Sequence, residues 1–197
     1  TYTNGFQTFV AKNCALMYES KFASQAFINC QTVASTGSNL QWNVIVDGQI
    51  SKPPTTSTAP PTITSIVDYA PNTSTTEGGT QFSLIGTEFG PVGLSSPSIT
   101  VTYGPTAREY EAVGCRVTKV GSGNSTISCA SAVGSGKDMP IIVTVTGQQS
   151  DIYRSISSGV LFSYAPPKLI AISESVVNTG SAREIQLFGN NFGEPGS

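Results

Sequence analysis

The chain has 197 residues, a formal net charge of −2 and only 11% charged residues. Because no cluster of Lys or Arg is available to neutralise phosphates, nucleic acid is a poor candidate partner. Histidine is absent, which removes the commonest general base and transition-metal ligand, so we expect no enzyme activity, no metal and no cofactor. The longest apolar stretch, 140–145, is far shorter than the ~20 residues of a membrane span, so no span is expected.

The chain repeats itself with a period of roughly 100 residues, which indicates an array of similar domains. The clearest marks of this period are the two cysteine pairs, Cys14 with Cys30 and Cys115 with Cys129. On this register we interpret residues 1–50 as the C-terminal half of one unit, 51–61 as a linker, 62–165 as a complete unit and 166–197 as the N-terminal half of a further unit.

The first half-unit alternates apolar and polar residues, as β-strands with one buried face do. Val44 and Val46 stand where Val143 and Val145 stand in the complete unit. No apolar run equivalent to 160–162 follows them, so this unit is expected to lack its final strand. The open sheet edge would be covered either by the Thr-rich segment that follows or by a neighbouring chain.

The linker 51–61 consists almost entirely of Ser, Thr and Pro. This composition is typical of an O-glycosylated stalk rather than of a packed domain. The candidate O-glycosylation sites are Thr55, Thr56, Ser57 and Thr58. Proline pairs at 60–61 and 166–167 flank the complete unit and are expected to stiffen the entry to each first strand.

The complete unit is predicted to be all-β. Short alternating runs are separated by turn residues roughly every eight to twelve positions, a pattern typical of a sandwich of two sheets with about seven strands. The predicted strands are 63–67, 82–85, 99–103, 109–112, 115–120, 126–130, 141–146 and 160–164.

The last segment follows the same register. Ile185 and Leu187 stand where Phe82 and Leu84 stand, and the glycine-phenylalanine turn of the complete unit recurs at 189–193. We therefore expect the first two strands of a further unit here.

The four cysteines are predicted to form two disulfides, Cys14 with Cys30 and Cys115 with Cys129. They are even in number and similarly spaced, and neither a second C-x-x-C element nor histidine completes a zinc site. Each bridge would contribute roughly 3 kcal/mol and would indicate an oxidising, extracellular setting. Buried free thiols are the alternative.

A series of motifs runs through the complete unit: Pro61-x-Ile63, Gly78-Gly79-Thr80, Gly86-x-x-Phe89-Gly90, the cysteine pair, Gly134-x-Gly136, Ile142-x-x-Val145-x-Gly147 and Phe162-x-Tyr164-x-x-Pro167. Each motif alone is weak, but in this order they resemble the IPT/TIG family of immunoglobulin-like domains. The outer units depart from the pattern: Ser-Ala-Arg stands at 181–183 in place of Gly-Gly-Thr, and the first unit has no Phe-x-Tyr.

The resemblance implies tandem early-set immunoglobulin-like β-sandwiches. Such domains occur in plexins, in multi-repeat extracellular proteins such as fibrocystin, in Rel-type transcription factors and beside carbohydrate-active enzymes. Fold alone does not choose among these uses. The paired cysteines and the absence of a basic cluster favour the extracellular, tandem use.

Two N-glycosylation sequons begin at Asn72 and Asn124, both in predicted loops, so attached glycans are a further expectation. A chain rich in Ser and Thr also produces such triplets by chance. Trp42 is a candidate sugar-stacking residue, although its place in the register, that of Ile141, favours a role in the core.

These features predict an extracellular structural protein on the cell surface or outside the cell. The half-unit 1–50 of one copy would complete the half-unit 166–197 of the next, giving a head-to-tail homopolymer. Continuity within a longer chain would give the same completed unit. The alternatives are a ligand- or glycan-binding module of a receptor or adhesin, and an accessory domain of a carbohydrate-active enzyme.

Overall fold

The computed structural model describes residues 1–18, 26–52, 54–70, 74–121, 123–174, 180, 182 and 184–194. Strands dominate these residues, which confirms the predicted all-β class. The elements are β1 (Tyr2–Thr3), β2 (Thr8–Phe9), β3 (Lys12–Tyr18), β4 (Ala26–Gln31), β5 (Leu40–Trp42), β6 (Ile45–Val46), β7 (Gln49–Ile50), β8 (Thr55–Thr56), β9 (Thr62–Val67), β10 (Gln81–Thr87), β11 (Ile99–Tyr103), β12 (Tyr110–Glu111), β13 (Val113–Val120), β14 (Ser125–Ala130), β15 (Met139–Val145), β16 (Gln148–Gln149), α1 (Ile152–Ser157), β17 (Leu161–Phe162), β18 (Lys168–Ile172) and β19 (Leu187–Asn190).

Residues 61–165 form a β-sandwich, called the central sandwich below. One sheet has the order β13-β14-β10-β9 and the other the order β12-β11-β15-β16, with β17 also pairing β15. Strand β11 shows how the sequence pattern produces the two faces. Its residues Ile99, Val101 and Tyr103 are buried, while Thr100 and Thr102 between them are partly exposed. The alternation in sequence is therefore the pleat of the sheet.

Aromatic side chains join the two sheets. The ring of Phe162 lies 4.5 Å from that of Tyr103, 4.9 Å from Tyr69 and 5.3 Å from Phe82, measured between centroids. Large rings at these separations combine apolar burial with favourable edge and stacking contacts. The main cluster of buried apolar residues lies entirely within 63–164, so the hydrophobic core belongs to the central sandwich.

The short helix α1 carries the chain from β16 to β17, and the apolar pattern gives no sign of it. Asp151 caps the helix by accepting a hydrogen bond from the Tyr153 amide at 2.9 Å. The Ser155 hydroxyl donates to the Val160 carbonyl at 2.6 Å and accepts from the Ile141 amide at 3.1 Å. Polar contacts thus fix the helix against β15.

Residues 1–60, called the N-terminal segment, form a sheet of order β2-β1-β5-β8 and two hairpins, β3-β4 and β6-β7. The prediction that this segment lacks a final strand is wrong, because Leu40 pairs with Thr56 just as Met139 pairs with Phe162. Threonine is β-branched and therefore favours strands, so these residues form a strand although no apolar run predicts one. Residues 55–56 of the predicted linker therefore belong to the sheet, and the Thr-rich segment itself covers the edge.

The C-terminal segment, residues 166–194, contains the antiparallel hairpin β18-β19. These are the two strands expected from the register. Residues 175–179 and the departure from the family pattern at 181 and 183 lie outside the described residues.

Candidate interaction surfaces

The β3-β4 hairpin has the same pairing register as β13-β14 over its first three residue pairs. Leu16 pairs with Ile28, and Val117 pairs with Ile127 at the corresponding position. Each hairpin also has a register shift just after its first residue pair, and β13-β14 has a second shift, between Val117 and Lys119, that β3-β4 lacks. The two hairpins are therefore built alike, although they belong to different parts of the chain.

A left-handed residue accompanies that register shift in both hairpins: Asn13 has a φ of 51° and Gly114 a φ of 65°. Glycine and asparagine reach this region with the least strain, which suits them to a bulge. The adjacent cysteines are bonded as predicted, Cys14 to Cys30 and Cys115 to Cys129. Both predicted disulfides are confirmed.

The surroundings of the two hairpins differ. In the central sandwich β14 also pairs with β10, whereas β4 pairs only with β3 among the strands described. Leu16 is 57% exposed and Ile28 44%, but Val117 and Ile127 are buried. The N-terminal hairpin therefore presents an apolar face and an open strand edge to solvent.

The β18-β19 hairpin repeats β9-β10 in the same way. Leu169 pairs with Gly189 as Ile63 pairs with Gly86, and a register shift follows in both hairpins. A Cβ on Gly189 would lie 2.1 Å from the Lys168 carbonyl oxygen, and one on Gly86 would lie 1.9 Å from that of Thr62. Only glycine allows either backbone approach.

This hairpin also exposes what the central sandwich buries. Leu187 and Phe192 are each 52% exposed, whereas their equivalents Leu84 and Phe89 are fully buried. In the described residues β19 pairs only with β18, while β10 is paired on both sides.

Two exposed surfaces result, and each has its counterpart in the core of the central sandwich. We call Leu16, Ile28, Val44 and Val46 the N-terminal apolar face, and Leu169, Ile185, Leu187 and Phe192 the C-terminal apolar face. All eight side chains are 41–66% exposed. Their equivalents are all members of the buried core cluster: Val117, Ile127, Val143, Val145, Ile63, Phe82, Leu84 and Phe89.

The N-terminal segment meets the central sandwich end to end. The Gln148 side-chain amide donates to the Thr58 carbonyl at 2.9 Å, and the Thr58 hydroxyl lies 2.9 Å from Gln148 Oε1. Thr36 is buried at the same contact, where a Cβ on Gly90 would be 2.6 Å from its methyl group. We call this contact the internal junction.

The opposite end of the central sandwich carries a cleft of about 700 Å³, called the end cleft, lined by Gly136, Tyr164, Pro166 and Asn191 among others. The Tyr164 amide donates to the Gly136 carbonyl at 2.9 Å. Within the C-terminal segment, the Asn191 side-chain amide donates to the Pro166 carbonyl at 3.3 Å. The cleft is therefore lined by residues of both the central sandwich and the C-terminal segment.

Two buried tyrosine hydroxyls lie beside this cleft. Tyr103 and Tyr164 are 2.8 Å apart at their hydroxyl oxygens, and Tyr164 donates to the Ala132 carbonyl at 2.8 Å. The Ala132 amide donates back to the Tyr103 hydroxyl at 2.9 Å. Burial raises the pKa of Tyr103 and of Tyr164 above the ordinary value, so both hydroxyls stay protonated and hold their partners at neutral pH.

A family model for the IPT/TIG domain matches residues 61–164, the central sandwich. The chain belongs to the IPT/TIG family. The match confirms the resemblance carried by the glycine, cysteine and aromatic motifs, and it identifies the sandwich as immunoglobulin-like. No curated protein matches the chain.

The predicted glycosylation sites lie on and beside the IPT/TIG domain. Asn124 is exposed in the turn between β13 and β14, where its carbonyl accepts from the Gly121 amide at 2.7 Å. Asn72 lies outside the described residues, although Ser74, the third residue of its sequon, is buried. Glycan attachment at either asparagine remains a prediction.

Three of the four O-glycosylation candidates use their hydroxyls internally. Thr56 accepts from the Trp42 indole at 2.7 Å, Ser57 accepts from the Asn39 amide at 3.1 Å, and Thr58 belongs to the internal junction. The exposed Thr55 hydroxyl has no hydrogen-bond partner among the described residues, so Thr55 is the best placed of the four.

The ring of Trp42, a candidate sugar-stacking residue, packs against its own sheet. It stacks on Tyr2 with centroids 4.2 Å apart, and Tyr2 is buried.

Within the described part of the chain, no group of three or more His, Cys, Asp or Glu could hold a metal ion. Nor does that part contain a helix long and apolar enough to cross a membrane.

Proposed function

We propose that the protein is a non-enzymatic, extracellular structural protein whose copies join head to tail by completing an IPT/TIG sandwich between them. One observation carries the proposal. The exposed hairpin β18-β19 has the pairing register of β9-β10, and β3-β4 has that of β13-β14 as far as the pair Leu16 and Ile28. In the central sandwich β9-β10 and β13-β14 together form one complete sheet.

The order of that sheet suggests which strands of two copies would pair. In the central sandwich β14 pairs with β10, with Phe82 opposite Cys129 and Leu84 opposite Ile127. The equivalent contact joins β4 of one copy to β19 of the next, giving the sheet order β3-β4-β19-β18. Backbone pairing would satisfy two open strand edges, a recognised mode of strand addition.

Apolar burial supplies the driving force. The N-terminal and C-terminal apolar faces would cover each other as their equivalents do in the central core. Burying a fully exposed large apolar side chain contributes roughly 1.5–3 kcal/mol. The eight side chains are about half exposed, so covering them offsets much of the ~4–15 kcal/mol lost in association, and the backbone pairing adds to it. The contact is heterologous, so it leaves one free face at each end and allows a chain of copies to grow.

The two disulfides support an extracellular setting. Disulfides persist in oxidising compartments and are rare in the cytosol. The same sandwich would also be completed if a longer chain supplied the second half itself.

The test uses two variants that each disable one face. Ile28→Asp and Leu187→Asp place a charge in the N-terminal and C-terminal apolar face respectively. By light scattering and electron microscopy, the unaltered protein should form linear polymers as concentration rises, and each variant alone should remain monomeric. Mixing the two variants should give dimers that grow no further, because each supplies the face that the other lacks.

Tyr153→Asp is the control, since this exposed helix residue lies outside both faces. It should polymerise like the unaltered protein. Monomers of the unaltered protein at every concentration, or a mixture of the two variants that stays monomeric, would contradict head-to-tail assembly. Monomers that bind immobilised glycans would instead favour the alternative of a binding module.

A further inference from the structure

We infer that the end cleft receives the β6-β7 turn of a second copy, with the Gln49 side chain donating to the carbonyl of Tyr164. This inference rests on the proposed head-to-tail function and adds a second contact to it. It joins the end of one sandwich to the base of the next, beyond the strand pairing within the completed sheet.

The internal junction is the template for this contact. There the turn between β15 and β16 of the central sandwich meets the N-terminal segment, and Gln148 at the start of β16 bonds to Thr58. The neighbouring Thr146 lies against Gly37, where a Cβ would be 3.3 Å from its hydroxyl oxygen. A turn with a glutamine at its end thus fits the end of the preceding sandwich.

The β6-β7 turn has the same shape and the same glutamine. Val46 pairs with Gln49 as Val145 pairs with Gln148. The left-handed turn residues also correspond: Asp47 and Gly48 have φ of 51° and 78°, and Thr146 and Gly147 have φ of 43° and 85°.

The anchoring Ser51 and Ser150 confirm this correspondence. The hydroxyl of Ser51 accepts from the Val44 amide at 3.0 Å, and that of Ser150 accepts from the Val143 amide at 2.9 Å. Both turns are therefore held to their strands by the same side-chain contact. Gln49 stands where Gln148 stands in the template.

The end cleft offers the matching acceptor. The Tyr164 amide donates to the Gly136 carbonyl at 2.9 Å, as the Thr58 amide donates to the Gly37 carbonyl at 3.0 Å. The Tyr164 carbonyl therefore occupies the place of the Thr58 carbonyl, which accepts from Gln148. Among the described residues the Tyr164 carbonyl has no hydrogen-bond partner, and its residue is 4% exposed and lines the cleft.

The two junctions differ in the side chain that carries the accepting carbonyl. Thr58 adds its hydroxyl to the internal junction, whereas the Tyr164 hydroxyl is directed into the core, where it bonds to Ala132 and Tyr103. The contact in the end cleft thus depends on the carbonyl, and the cleft of about 700 Å³ leaves room for the incoming turn.

The first experiment maps the contact directly. Position 49 is replaced by the photoreactive residue p-benzoylphenylalanine, and this chain is mixed with unaltered chain labelled with nitrogen-15. After irradiation, mass spectrometry should find position 49 joined to labelled peptides containing residues 135–138 or 163–167. Polymers that form normally but crosslink only elsewhere would overturn the inference and leave the proposed function standing.

The second experiment avoids a bulky probe. Gln49→Ala should weaken association roughly two- to tenfold, the usual effect of one hydrogen bond. The matched control Gln149→Ala removes an exposed glutamine on the strand next to the internal junction and should leave association within about twofold of the unaltered protein. Equal association of the two variants would overturn the inference. If the unaltered protein never associates, the proposed function fails and the inference fails with it.

Discussion

The hairpins β3-β4 and β13-β14 share their first three residue pairs, the bulge after the first pair and the disulfide, yet one is exposed and the other is buried. Ile28 is 44% exposed, and Ile127 at the equivalent position is fully buried. Backbone pairing and the cystine are therefore set by local sequence, because they are the same in both places. Burial depends on a second pair of strands, which only the central sandwich supplies from within the described chain.

The glycine-phenylalanine turns after β10 and β19 show the same separation of local and distant causes. Glu88 and Asn191 have φ of 61° and 59°, so both turns follow the same path. Phe89 is nevertheless fully buried and Phe192 is half exposed. The turn keeps its shape without a core above it.

The largest expected effect comes from removing an isoleucine at equivalent positions. Ile127→Ala should lower the free energy of unfolding by about 2–5 kcal/mol, because it leaves a cavity in the core. Ile28→Ala in dilute, monomeric protein should cost less than about 1 kcal/mol, since the side chain is already partly hydrated. Denaturant unfolding followed by tryptophan and tyrosine fluorescence measures both.

The effect of Ile28→Ala, small in the monomer, should become large when the protein associates. Once the protein is concentrated enough to associate, Ile28→Ala should weaken association strongly, while the exposed Val92→Ala should not. A cost for Ile28→Ala as large as that for Ile127→Ala in the monomer would mean that the N-terminal apolar face is covered within one chain.

The second effect concerns the disulfides. Replacing Cys115 and Cys129 with alanine should lower the free energy of unfolding of the central sandwich by about 2–4 kcal/mol. Replacing Cys14 and Cys30 should leave that transition unchanged, because their hairpin contributes nothing to the core cluster. Calorimetry of the two double variants distinguishes these outcomes. Equal losses would show that the two hairpins unfold as one cooperative unit.

Much of the fold could be predicted from sequence because its signals are local. The alternation Ile99, Val101, Tyr103 predicts β11 and its buried face, and cysteine spacing predicts both disulfides. Strand β8 could not be predicted, because Thr55 and Thr56 lie within a Ser/Thr/Pro-rich run. Their pairing with β5 is decided by a distant strand edge.

Only part of the interaction surfaces could be predicted from the sequence. The register identified Val44, Val46, Ile185 and Leu187 as core residues of incomplete units, and the structure exposes all four. The end cleft had no sequence signal. The proposed acceptor in this cleft is the backbone carbonyl of Tyr164. Every residue type carries such a carbonyl, so no residue in the sequence marks the acceptor.

The third effect tests the two glycine turns. Gly86→Ala should cost about 1–3 kcal/mol, since the new Cβ would collide with the Thr62 carbonyl and the Phe89 ring in a packed core. Gly189→Ala meets the equivalent atoms of Lys168 and Phe192, but Phe192 can move into solvent. Its effect should appear as faster amide exchange in β18-β19, with the central unfolding transition unchanged. A shift of that transition by Gly189→Ala would contradict local folding of the hairpin.

The smallest effect is a titration that only one of two corresponding turns can show. Tyr103 pairs with Tyr110 across the β11-β12 turn, as Tyr2 pairs with Phe9 across the β1-β2 turn. Hydrogen bonds from Thr106, joined by those of neighbouring amides, lower the pKa of Glu109 from 4.5 to about 2. The turn at the start of the N-terminal segment uses Asn4 instead, whose side-chain oxygen accepts from the amides of Phe6 and Gln7. Only the first of these acceptors can be protonated.

Because the folded-state pKa of Glu109 is depressed, its contribution to stability is present above pH 4.5 and disappears as the pH falls towards 2. The Thr106 amide resonance should therefore shift with a midpoint near the Glu109 pKa of about 2, while the amide resonances of Phe6 and Gln7 stay constant. Glu109→Gln should abolish the shift of Thr106 and keep the turn folded. A Thr106 midpoint near 4.5 would mean that the carboxylate is free in solution, and the two turns would then differ in structure as well as in charge.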